Sequence, residues 1–91
     1  MEIRLLVHAS DAERWSVIRR DDASFWVEHI ARRFDGNTTT KIFSVEWFCS
    51  TCFDEMLAER VLNGITQVKA QADANHQMSL WYRREQMRRA S

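Results

Sequence analysis

The first apolar positions of the chain fall in a short run. Residues Glu2 to His8 carry Ile3, Leu5, Leu6 and Val7 with Arg4 as the main polar interruption, which predicts a β-strand. The next stretch, Ser10 to Arg20, supports two readings. Ser10 followed by Glu13 has the spacing of a capping box opening a helix, whereas Trp15, Val17 and Ile18 suit a short strand folded back on the first. The hairpin is the preferred reading, although Trp15, Ile18, Asp22, Trp26, Ile30 and Phe34 keep helical spacing throughout. From Asp22 to Phe34 the pattern predicts a helix. Trp26, Val27, Ile30, Ala31 and Phe34 share one face, Glu28 and Arg32 pair at i,i+4 on the other, and Asp21 or Asp22 caps the start. Gly36 then stands where a left-handed residue ends a helix, before a polar turn over residues 37–39.

Thr40 to Phe48 predicts a further strand, with Phe43, Val45 and Trp47 on one face and Ile42, Ser44 and Glu46 on the other. A helix capped by Ser50 or Thr51 follows. Phe53, Leu57, Val61, Ile65, Val68 and Ala72 form its stripe; Gly64 lies on that stripe, and either Asn63-Gly64 ends the helix or Gly64 admits a close neighbour. Residues 67–89 favour helix again, with Met78, Trp81 and Tyr82 on one side. The expected order is β, β, α, β, α, α. That is the α+β class: a small antiparallel sheet of two to three strands, packed on one face by two to three helices. Trp26, Ile30 and Phe34 are expected to meet Phe53, Leu57 and Val61 in the core.

Length changes this picture little. A chain of 91 residues with no proline, two glycines and no low-complexity stretch reads as a single domain over 1–91, with a basic helical segment at about 74–90. Hydrophobic residues at 45% and charged residues at 29% are ordinary for a folded domain. Thirteen basic residues balance thirteen acidic ones, so no global field draws the chain to nucleic acid or anionic lipid. The balance is uneven along the chain. Lys69, Arg83, Arg84, Arg88 and Arg89 outnumber Asp73 and Glu85 after residue 68, giving +3 there and −3 before it. No apolar run approaches the roughly 18 to 20 residues needed to span a bilayer, and the amino terminus lacks a signal-peptide pattern, so no membrane association and a cytoplasmic location are expected.

Among motifs that carry chemistry, the sharpest is Trp47-Phe48-Cys49-Ser50-Thr51-Cys52-Phe53. An aromatic residue before a Cys-x-x-Cys at a strand-to-helix junction resembles the thioredoxin active-site turn, where a helix start stabilises a thiolate. The resemblance stays local, because thioredoxin-like proteins place a cis-proline beside the dithiol and this chain has no proline. A tetrahedral zinc site on Cys49 and Cys52 needs two more ligands from His8, His29 and His76, and no second pair has ligand spacing. Redox or zinc-binding function is thus an alternative, and no cofactor is expected. No nucleophile motif, glycine-rich phosphate loop or histidine with an evident orienting carboxylate appears, so catalysis is not expected. Asp21-Asp22 and Asp54-Glu55 sit at predicted helix starts, where they complement the dipole.

What remains is an acidic body joined to a basic, aromatic end. Aromatics, Met and Arg are enriched at protein interfaces. The chain therefore reads as a small non-enzymatic binding or regulatory protein, of the adaptor, inhibitor or immunity and antitoxin type. Its contact residues are expected to be Met78, Trp81, Tyr82, Arg83, Arg84, Arg88 and Arg89, and its partner a protein, a second copy included. Nucleic-acid binding by the same arginines and rings is the alternative.

Overall fold

The computed structural model describes residues 2–90. Strands β1 (Ile3–Ala9), β2 (Glu13–Arg19), β3 (Phe25–Arg32) and β4 (Thr38–Ser44) form one antiparallel meander in sequence order. Two helices follow, α1 (Val45–Thr51) and α2 (Glu55–Ala90). The class is α+β, as the sequence implies. The sheet has four strands rather than two to three, however, and the element order is ββββαα rather than ββαβαα.

The turns explain why the first half folds as a meander. Between β1 and β2, the hydroxyl of Ser10 accepts from the amides of Ala12 and Glu13 at 3.2 Å each, so the Ser10 and Glu13 pair caps a turn rather than a helix. Between β2 and β3, the Ala23 amide donates to the Arg20 carbonyl with Ala23 in the left-handed region at φ 67°. Asp22 holds that turn, accepting from the Ser24 hydroxyl and amide. Those two bonds favour the ionised carboxylate, the hydroxyl most, and keep Asp22 below the usual carboxylate pKa. Gly36, at φ 85°, serves the β3–β4 turn, its amide donating to the Arg33 carbonyl at 3.1 Å.

The segment expected to be a helix over Asp22 to Phe34 is strand β3. Trp26 and Ile30 are four residues apart, and residues at that spacing share a face in a strand as well as in a helix. Register separates the two. Trp26 pairs with Ile18 and Ile30 with Arg14 on the outer face, whereas Val27 pairs with Val17 on the inner face and is fully buried. Phe34 lies beyond the strand and is fully exposed, so it is not a core residue. The expected strand over Thr40 to Phe48 stops at Ser44 instead. Ser44 caps α1, its hydroxyl accepting from the Trp47 amide at 3.2 Å, and Val45, Trp47 and Phe48 become helical.

Side chains on the inner face form a row, Leu5, Val17, Val27 and Phe43, which the helices cover. Helix α2 packs on β1 and β2; α1 packs on β3 and β4 and inserts Phe48 edge-on to Trp15, with ring centroids 5.7 Å apart. Val17, Val27, Phe48, Leu57, Val61 and Val68 make the core. Phe53, expected among them, is 95% exposed, because it precedes α2 and the stripe begins at Leu57. Gly64 does not end the helix. A Cβ there would lie 2.5 Å from Val7 Cγ1 and 3.2 Å from Val17 Cγ2, so the missing side chain lets the helix approach the sheet. The two helices expected after residue 50 are thus one, 36 residues and about 54 Å long. It makes the molecule 63 Å in its longest dimension.

Candidate protein interface on the projecting helix

Helix α2 starts on Asp54, whose carboxylate accepts from the Leu57 amide at 3.1 Å. Leu57, Val61, Gly64 and Val68, at spacings of four and three, are buried on the sheet. The Arg60 guanidinium adds a polar strap, donating to Nδ1 of His8 on β1 at 2.7 Å. Ala72 is the last half-buried residue of this packed stretch. Beyond it, residues 73–89 are exposed apart from half-buried Glu85, which pairs with Arg88 one turn on. About 25 Å of helix thus projects past the sheet.

All seven residues singled out from the sequence lie on this projecting half. Met78, Trp81 and Tyr82, at i, i+3 and i+4, share one side and are 69%, 62% and 59% exposed. Trp81, Tyr82, Glu85, Gln86 and Arg89 line a shallow groove along it. Arg83, Arg84, Arg88 and Arg89 are exposed and, at their spacing, spread around more than half the helix circumference. The rings thus lie together and the cations around them.

The cysteines are placed differently from expectation. Cys49 is exposed in the last turn of α1 and Cys52 is its C-cap, so neither stands at the start of that helix as the thioredoxin resemblance requires. Both thiols are free. His8 bonds Arg60 and His29 bonds Glu13, while His76 stands exposed on the projecting half of α2. Among the described residues, no group of three or more His, Cys, Asp or Glu side chains could hold a metal ion. Also among the described residues, no helix is long and apolar enough to cross a membrane.

One pair escaped the sequence reading. His29 Nε2 lies 2.8 Å from Glu13 Oε2, and its ring stacks on Trp15 with centroids 3.9 Å apart and planes within 9°. The residues are sixteen positions apart and meet only because β2 and β3 pair with Trp15 opposite His29. Reading Phe25 to Arg32 as a strand would have revealed the juxtaposition. The contacts of His29 are a carboxylate and a ring, with no hydroxyl or thiol among its hydrogen-bond partners in the described residues.

Among the described residues, no helix covers the outer face of the sheet. Ile18 is nonetheless buried there, in the row Arg4, Ile18, Trp26 and Ser44, with Arg20 over the Trp26 ring at 4.6 Å. Arg4 pairs with the buried Glu28 and less closely with Glu2; the Glu28 hydrogen bond raises the Arg4 pKa further above its ordinary value. Side chains lying across one another thus bury Ser16, Ile18 and Glu28 at the centre of this face, while Leu6 and Ile42 stay exposed on it. No known protein family, curated protein or solved structure matches the chain.

Proposed function

We propose that this chain is a small non-enzymatic binding or regulatory protein whose recognition element is the projecting half of α2. One observation carries the reading: a helix continues past its own sheet with Met78, Trp81 and Tyr82 exposed together on one side. An isolated helix of that length is marginal in water, and most helical stability in proteins comes from packing an apolar face. Residues 73–89 have no such packing among the described residues. A protein surface supplies it, with Trp81 and Tyr82 as anchors and the arginines as a polar rim. The build fits an adaptor, inhibitor or antitoxin-type protein. The arrangement of the arginines favours a protein over nucleic acid, since cations distributed around a helix do not form one groove-facing stripe.

Photo-crosslinking in the native cell tests the reading, with p-benzoylphenylalanine placed at Met78, Trp81 or Tyr82 and, as a control, at Phe34. Protein adducts from the three helical positions, resistant to nuclease and absent from position 34, are expected. Adducts that disappear with nuclease treatment would hand the site to nucleic acid, and no adducts at all would remove the helix as a recognition element. Trp81→Ala is expected to cost about 2 kcal/mol or more of partner affinity, and single Arg→Ala changes less.

A further inference from the structure

Helix α2 has opposite charges at its two ends. Asp54 caps its start and Glu55 and Glu59 lie in its first turns, followed by Arg60, whereas residues 83–89 hold four arginines and one glutamate. None of those three acids forms an ion pair among the described residues, nor do Arg83, Arg84 and Arg89. The helix dipole accounts for the sense of these charges. It does not account for the exposed apolar side chains beside them, Met56 and Leu62 near the acidic end and Leu80 and Trp81 near the basic end.

We infer that the partner of the projecting helix is a second copy of this chain, bound with the two α2 helices antiparallel along their sheet-distal faces. This rests on the reading of the projecting half as a recognition element and names the partner of its Trp81 face, with Met78 and Tyr82 to one side of that face. The sheet-distal face carries a seam at spacings of three and four: Glu59, Asn63, Thr66, Ala70, Ala74, Gln77, Trp81 and Arg84, every one exposed. A two-fold axis across two antiparallel helices brings together positions whose numbers sum to nearly the same value, to within a residue or two. With the axis near residue 72, Glu59 meets Arg84 and Asn63 meets Trp81, in duplicate. At the flank, half-exposed Leu62 meets Leu80. At the axis Ala70 meets Ala74, where short side chains let the backbones approach. The seam thus sets opposite charges together at its two ends and small side chains at its centre, with one apolar pair, Leu62 and Leu80, at the flank. The sheets pack on the opposite side of each helix and do not obstruct it.

Sedimentation equilibrium of the purified full chain at about 100 μM is expected to give a dimer. Glu59→Arg and Arg84→Glu, made separately, each place like charges against each other twice and are expected to raise the dimer dissociation constant at least about tenfold. An equimolar mixture of the two variants, or both changes in one chain, restores opposite charges and dimerisation. Near-UV circular dichroism checks that each variant is folded; both positions are exposed, so the fold is expected to persist. Spin labels in a Cys49→Ser, Cys52→Ser background fix direction. Labels at Asp73→Cys are expected within about 20 Å of each other, and labels at Met87→Cys about 45 Å apart from the helical rise. A monomer at this concentration, a dimer indifferent to both charge reversals, a mixture that stays monomeric, or close labels at position 87 would each overturn the inference. If the chain is monomeric while a crosslinker at position 81 captures a different protein, this inference fails and the recognition helix stands.

Discussion

The two halves of α2 are continuous in backbone and opposite in what surrounds them. From Leu57 to Val68 the buried stripe packs on β1 and β2, closely enough at Gly64 that no Cβ fits. From residue 73 onward the same helix carries Met78, Trp81 and Tyr82 in solvent. The first half is explained by the fold. The second has no such packing among the described residues, and on the proposed reading its large apolar side chains meet a partner. The contrast shows why a helix is judged by what covers each turn rather than by its length.

Substitutions sharpen that contrast, and the core gives the largest effect. Phe48→Ala is expected to cost about 3 to 5 kcal/mol in chemical denaturation, a large share of the total for a domain this small, whereas Phe34→Ala and Phe53→Ala stay within about 0.5 kcal/mol. Equal losses at all three would mean the aromatic burial is misplaced. Gly64→Ala gains helix propensity but drives a methyl into Val7, a stiff side chain, and a net loss of about 1 to 3 kcal/mol is expected. A more stable Gly64→Ala protein would show that α2 does not approach the sheet so closely. In the projecting half, Trp81→Ala is expected to leave the stability of the isolated chain unchanged within about 0.5 kcal/mol while weakening partner binding. Loss of stability in the monomer would place that ring in the chain's own core.

Smaller effects belong to the β2–β3 turn. Ala23→Gly relieves a left-handed backbone and is expected to stabilise by about 0.5 to 1 kcal/mol. A loss instead would place Ala23 outside the left-handed region. Asp22 has a lowered folded-state pKa, so its contribution is full above the unfolded value of about 4 and is lost as pH falls through the folded one. Asp22→Asn is expected to flatten the acid side of the stability curve slightly by lowering stability near pH 7, where the ionised carboxylate contributes fully, and to leave it nearly unchanged at low pH.

The legible parts of the sequence were those in which one element's pattern suffices. The first strand, the β1–β2 hairpin, the Gly36 turn and the helical carboxyl-terminal half all appear in the structure. The illegible parts turn on partners far away in sequence. Trp26 and Ile30 fit a helical face and a strand face equally well, and only pairing with β2 and β4 places Val27, not Trp26, inside. The β4–α1 junction was missed because Val45 and Trp47 continue the alternation of Phe43, while the signal that ends it is Ser44 acting as a cap. That shift moved Cys49 from a helix start to a helix end and removed the basis for the redox reading. The placement of Met78, Trp81 and Tyr82 on one side followed from spacing alone, since it depends only on the helix that bears them.

Hydrogen exchange of backbone amides, read along α2 in the isolated chain at a dilution where it is monomeric, tests most directly whether its two halves are held by different things. Amides from Leu57 to Val68 are expected to exchange only through unfolding of the domain, and those over 73–90 orders of magnitude faster, slowing when the concentration is raised into the range of self-association. Equal protection of both halves in the dilute monomer would contradict the account, because the projecting half would then be stabilised by its own chain.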